Sequence, residues 1–396
     1  MSYLFADIVI PVAVSGTFTY AVPQELRLTV RRGSLVNVPF KKSKSIPGLV
    51  VAVHNTPPAD FSAREITTLF PGEISLPDRL TDFLLWVSDY YMAYPGEVFK
   101  AALPSPEDLA RPVRARRKTV AGDPEAGPLP PAELNRVQKE ACDSISRLFS
   151  EREAVLLHGV TSSGKTEIYI HLMREQLALG RQVLYMLPEI ALTTQITERL
   201  RKHFGSSIGV FHSRLTPAAR REVWKRVSDG SLRAVLGVRS SLFLPFSDLG
   251  LIIVDEEHDS SYKQYDPAPR YHARDAAMML ARIHGGRTLL GSATPSLESY
   301  HNASAGRYGL VELMTRYGDV MMPEMIIADT RALLKKMGPA THFTSRLLDA
   351  VTGALEKEEQ VILFQNRRGF SPFLMCADCG HVPQCTNCSV SYTYHK

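Results

Sequence analysis

The first hundred residues and the two hundred that follow the linker keep different hydrophobic rhythms. Over residues 1–103, short β-branched runs at Ala6–Val14, Gly16–Val22, Ser34–Pro39 and Gly48–His54 are broken by glycine and proline. Such runs predict the strands of a small β-barrel-like or sandwich domain, with a helix after them at Thr81–Tyr91. Over residues 134–315 the apolar runs are continuous: Ala154–His158, Val183–Leu187, Ile208–Phe211, Ala234–Gly237, Leu251–Val254 and Thr288–Leu290. Helix-like stretches lie between them at Thr166–Ala178, Ala191–His203, Pro217–Ser228 and Arg274–Ile283. Unbroken apolar strands separated by helices predict a parallel sheet covered on both faces. The fold class is then α/β, doubly wound, with ligands at the strand C-termini.

Residues 104–133 are rich in proline and glycine and hold five basic residues between Arg111 and Lys118. They read as a linker. From residue 316 the pattern restarts, with strand-like Met325–Ala328 and Val361–Gln365 flanking a helix at Ser345–Lys357. The expected organisation is a β-rich domain over 1–103, a linker over 104–133, an α/β lobe over 134–315, the start of a second lobe over 316–375, and a cysteine-rich region over 376–396. No internal repeat is visible.

Composition changes this picture little. A chain of 396 residues, 44% hydrophobic and 22% charged, fits two or three soluble globular domains. No run approaches the ~18 apolar residues of a membrane span. Asp7 interrupts the first apolar run and no basic segment precedes it, so the N-terminus reads as a strand rather than a signal peptide. A cytoplasmic location is expected. The net charge of +5 permits nucleic-acid binding without demanding it. Its basic clusters, the linker run and five residues between Arg214 and Arg226, serve either as solvated faces or as phosphate contacts.

The chemistry concentrates at two strand ends. Gly159-Val-Thr-Ser-Ser-Gly-Lys165-Thr166 follows the run Ala154–Leu157 and opens a helix, the context a phosphate-binding loop requires. Gly159, Thr161 and Gly164 place backbone N–H groups around phosphate oxygens. Lys165 reaches the β and γ phosphates, and Thr166 ligates Mg²⁺. Asp255-Glu256-Glu257-His258 follows the run Leu251–Val254. Asp255 is placed to hold the same Mg²⁺ and Glu256 to polarise the attacking water. Together they predict a site that binds and hydrolyses a nucleotide.

Of five cysteines, Cys142 stands alone in a helical pattern and reads as an inert thiol. Cys376, Cys379, Cys385 and Cys388 form two C-x-x-C pairs, each able to present two thiolates to Zn²⁺ at about 2.3 Å. In a cytosolic chain this favours metal over disulfide. Only five residues separate the pairs, against roughly 15–20 where two pairs share one ion. That spacing is short for two pairs on one ion; His381 and His395 are weak substitute ligands.

Further segments carry a family resemblance. They are Leu187-Pro-Glu-Ile-Ala-Leu-Thr-Thr-Gln195, His212-Ser213, Gly237-Val-Arg-Ser-Ser-Leu-Phe243, Asp259-Ser-Ser-Tyr-Lys-Gln-Tyr265, Pro269-Arg-Tyr-His-Ala-Arg-Asp275 and Gly291-Ser-Ala-Thr-Pro-Ser-Leu-Glu-Ser299. In order and wording they resemble the primosomal replication-restart helicases of superfamily 2, along the whole chain. The resemblance implies a RecA-like motor lobe preceded by a 3′-end DNA-binding domain, and an ATP-dependent 3′→5′ DNA helicase that remodels stalled or branched forks and promotes reloading of the replicative helicase. It implies ATP, Mg²⁺ and two Zn²⁺ ions as cofactors. Forked and single-stranded DNA, primosome proteins and single-strand DNA-binding protein are the implied partners, with a monomeric protein and no membrane.

By that resemblance Gln138, in Leu134-Asn-x-x-Gln138, reads the adenine edge. Pro188, Glu189, Arg239 and Ser240 lie on loops that grip the DNA backbone. Ser292 and Thr294 couple hydrolysis to DNA movement, and His258 senses the γ-phosphate beside Glu256. Tyr262, Lys263 and Tyr265 sit in an aromatic-rich loop that stacks on bases, and Arg367 and Arg368 contact phosphate or support the inter-lobe cleft. In the N-terminal domain Phe18 and Tyr20 stack on or wall in a terminal base, with Thr19 where the family carries an Asp for the 3′-OH, and Lys41 where some members carry a glycine. Family zinc sites each combine an early and a late cysteine pair, which assigns Cys376/Cys379 to one ion and Cys385/Cys388 to the other. The resemblance thus leaves these four cysteines with either no ion by themselves or one ion in a forced Cys₄ arrangement.

Two departures shape the expectation. About thirty linker residues stand where many members carry a winged-helix domain. The sequence also stops before the arginines expected to reach across to the γ-phosphate, each worth roughly 10³–10⁵ in rate. This polypeptide is therefore expected to bind nucleotide weakly and hydrolyse it poorly. A non-catalytic branched-DNA-binding fragment and another superfamily 2 translocase are the alternative readings.

Overall fold

A computed structural model describes residues 4–40, 44–70, 74–103, 129–189, 194–316, 323–329, 343–364, 379 and 381–383. The chain divides into two compact units, Met1–Met321 and Met322–Lys396.

The first unit opens with an antiparallel sheet of β1 (Phe5–Val9), β2 (Phe18–Ala21), β3 (Leu35–Phe40), β4 (Lys44–His54) and β5 (Thr68–Leu69). Their spatial order is β2-β1-β4-β3-β5. Alternation along each strand feeds two cores. Ala6, Ile8, Tyr20, Val36, Val38 and Val50 pack on one face. Val9, Leu35 and Leu49 point the other way, against α1 (Asp78–Tyr90) and α2 (Pro95–Ala102). Helix α1 starts three residues earlier than its apolar pattern predicts. Helix α2 is not among the predicted elements. Its start is set by Pro95 at the first helical position and by Glu97, whose Oε2 accepts the Tyr94 N–H at 3.2 Å. Phe83 on α1 is fully buried, worth roughly 1.5–3 kcal/mol relative to exposure.

The rest of this unit is an all-parallel seven-stranded sheet. Its strands are β6 (Ala154–Gly159), β7 (Gln182–Met186), β8 (Ile208–Phe211), β9 (Ala234–Gly237), β10 (Leu249–Asp255), β11 (Arg287–Ser292) and β12 (Gly309–Leu313). The order is β12-β6-β11-β10-β7-β9-β8. Helices α3 (Arg136–Glu151), α4 (Lys165–Ala178) and α5 (Thr194–Phe204) cover one face through Ile145, Tyr169, Met173 and Leu200. Helices α6 (Pro217–Ser228), α7 (Ala273–Ile283) and α8 (Leu297–Ser304) cover the other through Trp224, Ala277, Leu280 and Ala303. Strand β12 and helices α3 and α8 are additions to the predicted set; the six other strands fall where the apolar runs place them, within two residues at each end.

The β-rich domain is docked on the second face. Phe83 meets Phe243 with ring centroids 5.9 Å apart. Arg79 Nη1 donates to Ser247 O at 2.9 Å, and the Tyr91 hydroxyl donates to His272 O at 3.2 Å. In the second unit, α9 (Ser345–Glu356) forms as predicted, with Thr344 Oγ1 accepting the Leu347 N–H at 3.2 Å. The strands expected at Met325–Ala328 and Val361–Gln365 do not form at described residues 325–328 and 361–364. A strand needs a hydrogen-bonded neighbour, and none is present there among the described residues; Ile327, Ile362 and Phe364 are exposed.

Candidate functional site

The loop after β6 and the end of β10 face one another across a cleft of about 620 Å³. Gly164 caps the start of α4 at φ +83°, a left-handed conformation that glycine adopts freely. A Cβ there would also overlap the Gln138 side-chain nitrogen. Lys165 folds back so that Nζ donates to Gly159 O at 2.7 Å. Thr161, Thr166, Asp255 and Glu256 line the same cleft, so the structure brings the predicted phosphate loop and acidic pair together. Glu256 sits at φ +47°, a costly conformation for a side-chain-bearing residue of the kind that concentrates at reaction centres.

The cleft suits a phosphate-bearing ligand with a divalent cation. It combines the glycine-lined loop at the start of α4 with an ammonium, a hydroxyl and two carboxylates. Two buried atoms on its lining residues, Ser163 Oγ and Glu167 Oε2, have no partner within the protein.

Gln138 is buried at 1% exposure and has a structural use the sequence does not announce. Its Oε1 accepts the Asn135 N–H at 3.1 Å, and its Nε2 donates to Ser163 O at 3.2 Å. It joins the start of α3 to the phosphate loop. One amide hydrogen and one lone pair remain for a base edge.

Asp255 is held from several sides. The Tyr169 hydroxyl donates to Oδ1 at 2.9 Å and the Tyr185 hydroxyl to Oδ2 at 3.0 Å. The Tyr262 hydroxyl donates to the Asp255 main-chain oxygen at 2.6 Å. Burial, and then the neighbouring Glu256 carboxylate, push the Asp255 carboxyl above the usual range. Burial likewise pushes the Tyr169 and Tyr185 hydroxyls well up, with the Asp255 charge adding to it. The tyrosines therefore remain neutral donors.

Behind this pair, His258 Nδ1 and Ser292 Oγ are hydrogen-bonded at 2.8 Å, and His258 Nε2 lies 3.4 Å from Thr294 Oγ1. The expected coupling residues thus touch the histidine of the acidic motif. Glu257, fully buried, accepts from Arg274 Nη1, Ser296 N, Ser296 Oγ and Ser299 Oγ. Neither the Glu257 network nor the two Asp255-bound tyrosines is singled out by sequence spacing, since their partners stand 17 to 86 residues apart. Arg199, which pairs with Glu167 at the cleft wall, is also missed. A basic residue in the middle of α5 carries no motif of its own.

The residues expected to touch DNA divide. Tyr265 is 71% exposed. Lys263 Nζ donates to Arg270 O at 2.5 Å and lies 5.8 Å from the Tyr91 ring centre. Arg239 Nη1 donates to Ser261 O and Lys263 O, both at 3.2 Å, so it braces the aromatic loop from the half-buried start of the 239–243 turn it shares with Ser240. Glu189 Oε1, beside Pro188, accepts from Ser213 Oγ at 2.6 Å. The expectation that Tyr262 stacks on bases is corrected: the ring is 1% exposed, because the turn after β10 directs it inward to the Asp255 carbonyl. Tyr20 is corrected likewise. It is buried in the sheet core with its hydroxyl on Pro39 O, and half-buried Phe18 meets Phe40 edge-on at 6.2 Å. Thr19, one residue out of phase, points to the opposite face and donates to Asp7 Oδ1 at 2.7 Å. Arg367, Arg368, Cys376, Cys385, Cys388, His395 and Lys41 lie outside the described residues. Cys379 is exposed, and no group of metal-ligating side chains is assembled among the described residues.

Residues 135–303 match the DEAD/DEAH box helicase family, and residues 7–104 match a 3′DNA-binding domain. Fold and cleft thus define a helicase-type nucleotide-binding lobe joined to a DNA-binding module. Over 395 residues the chain is 38% identical to the replication restart protein PriA of Rickettsia conorii, covering 99% of this chain and 58% of that one. It is 43% identical over 268 residues to PriA of Bacillus subtilis, covering 67% and 33%, and 31% identical over 470 to PriA of Chlamydia trachomatis, covering 99% and 62%. The chain belongs to the PriA family of replication restart proteins. It spans about three-fifths of the length of the Rickettsia relatives. No helix among the described residues is long and apolar enough to cross a membrane.

Proposed function

We propose that the protein is an ATP-driven 3′→5′ DNA helicase that recognises stalled or branched replication forks and promotes reloading of the replicative helicase. The observation that carries this reading is the single cleft in which Lys165, Thr166, Asp255 and Glu256 converge, wired through His258 to Ser292 and Thr294. When bound, Mg²⁺ spreads phosphate charge and orients the oxygens of ATP. Thr166 and Asp255 would hold it. The phosphate loop binds and orients the nucleotide through its N–H groups and Lys165. Glu256 orients the attacking water and takes up its proton. Gln138 reads the adenine edge with the amide valences left over from its two structural bonds. Changes at the phosphate pass to the Ser292–Thr294 segment through His258.

On this reading residues 1–103 serve as the 3′-end DNA-binding domain, 134–315 as the first RecA-like lobe and 316–375 as the start of the second. Tyr265 and Lys263 meet the translocating strand through stacking and charge, which tolerate any base sequence. Arg239, Ser240, Pro188 and Glu189 shape the backbone groove. Arg367 and Arg368 belong to the same DNA-facing set, and Phe18 borders the terminal-base pocket. Cys376, Cys379, Cys385 and Cys388 are zinc ligands, with two ions in the complete cysteine set. Primosome proteins and single-strand DNA-binding protein are the partners, and the protein works as a cytoplasmic monomer.

Strand separation on a synthetic fork with a nascent leading-strand 3′ end tests the reading. A protein of the relatives' full length that carries this chain should unwind it only with ATP and Mg²⁺, and Lys165→Ala in that protein should abolish unwinding while fork binding persists. Unwinding by Lys165→Ala at the unsubstituted rate would contradict it. Zinc content measured by elemental analysis tests the cysteine assignment.

A further inference from the structure

The Asp255 carboxylate offers about four lone-pair sites, and three of them are occupied by the protein. Oδ1 accepts from the Tyr169 hydroxyl at 2.9 Å and from the Glu256 N–H at 3.1 Å. Oδ2 accepts from the Tyr185 hydroxyl at 3.0 Å. One site is left, on Oδ2.

The two tyrosines come from different elements. Tyr169 lies one turn into α4, four residues after Lys165, and Tyr185 lies on β7, the strand beside β10. Both side chains are fully buried, and their rings meet edge-on with centroids 5.5 Å apart. Phenylalanine would preserve that packing at both positions, so what the hydroxyls add is the bond each makes to Asp255.

Gly291 makes room for this arrangement. It pairs with Asp255 across β10 and β11, and a Cβ at that position would overlap the Tyr169 hydroxyl oxygen. The neighbouring strand therefore carries the residue that lets Tyr169 reach the carboxylate.

We propose that Tyr169 and Tyr185 are positioning residues that lock the Asp255 carboxylate in one orientation, saturate Oδ1, and present Oδ2 to the coordination shell of the nucleotide's divalent cation. The inference rests on the reading of this cleft as a Mg²⁺–nucleotide site. It makes the cation requirement a property set by two buried phenols and one glycine, none of which touches the nucleotide.

The test is a Mg²⁺ titration of fluorescent ADP-analogue binding to the purified chain, with parallel binding in EDTA. Tyr169→Phe and Tyr185→Phe should each raise the Mg²⁺ midpoint by roughly tenfold, as loss of an outer-sphere partner does at other metal sites. Gly291→Ala should produce the same shift by displacing the Tyr169 hydroxyl. Binding without Mg²⁺ should be unchanged in all three, a result that a general loosening of the fold would not give. Unshifted or lowered midpoints in both phenylalanine variants would overturn the inference. Should Gly291→Ala fail to fold, the phenylalanine variants carry the test alone because they keep both rings. If the unsubstituted chain shows no Mg²⁺-dependent nucleotide binding at all, it is the nucleotide-site reading that falls.

Discussion

Glu257 and Arg274 form a buried ion pair at 3.1 Å, their side chains 0% and 10% exposed. The pair ties the acidic motif at the end of β10 to the start of α7, and Ser296 and Ser299 complete the carboxylate's hydrogen bonds from α8. It thus fixes the backbone on which Asp255 and Glu256 stand. Removing one partner leaves a charge in the interior, at a cost of about 3–5 kcal/mol. Arg274→Leu should lower the unfolding free energy by about that much in urea titrations. The exposed pair Arg282–Glu153 should lose less than ~1 kcal/mol when broken.

Ser292→Ala removes the hydroxyl that binds His258 Nδ1 and accepts the Thr294 N–H at 3.0 Å. The expected outcome is uncoupling. Nucleotide affinity should stay within about twofold, since the phosphate loop is untouched, while DNA-stimulated hydrolysis and unwinding fall by roughly the 1–2 kcal/mol of two lost hydrogen bonds. Equilibrium nucleotide binding and steady-state hydrolysis on the same preparation check it.

The two tyrosines of the aromatic loop should behave oppositely. Tyr265→Ala removes an exposed ring and should weaken single-strand DNA binding by about 1–3 kcal/mol without a change in melting temperature. Tyr262→Phe removes a buried hydroxyl from the Asp255 carbonyl and should cost stability of about 1–3 kcal/mol, leaving DNA affinity nearly intact. Fluorescence anisotropy with labelled oligonucleotide, beside thermal melts, separates the two.

Acid should loosen the junction between the β-rich domain and the lobe. Buried His284 accepts at Nδ1 from the Leu249 N–H at 3.3 Å, with Arg79 Nη1 of α1 at 3.5 Å from the same atom. Burial, and then the Arg79 charge, hold the imidazole down at about 4. Its folded value lies below the ordinary 6.5, so the stabilisation is complete above pH 6.5 and is lost as pH falls towards 4. The loss should reach at most about 3 kcal/mol. His284→Asn keeps an acceptor without a titrating ring and should flatten stability across that window, measured by urea unfolding at successive pH values.

Much of this was legible in the sequence because it is local. A phosphate loop needs its glycines, lysine and threonine in one contiguous segment after a strand, and the continuous apolar runs betray a sheet buried on both faces. What escaped depends on tertiary neighbours. Tyr169 and Tyr185 look like ordinary core aromatics until β7 and α4 are set beside Asp255. Composition shows an aromatic loop around Tyr262 but not which side of it faces inward. The Phe18-Thr19-Tyr20 triplet shows the same limit, since strand alternation sends Thr19 to Asp7 and Tyr20 into the core. Strand β12 escaped because Glu312 interrupts its short apolar run at the sheet edge.

The most direct test of the central claim is calorimetric binding of ADP and of a non-hydrolysable ATP analogue to the purified chain, with and without Mg²⁺, beside Lys165→Ala. The account predicts one adenine-nucleotide site whose affinity rises with Mg²⁺, and near-complete loss of binding in Lys165→Ala without a change in melting temperature of the free chain. Nucleotide binding of equal strength in Lys165→Ala, or none in the unsubstituted chain, would contradict it.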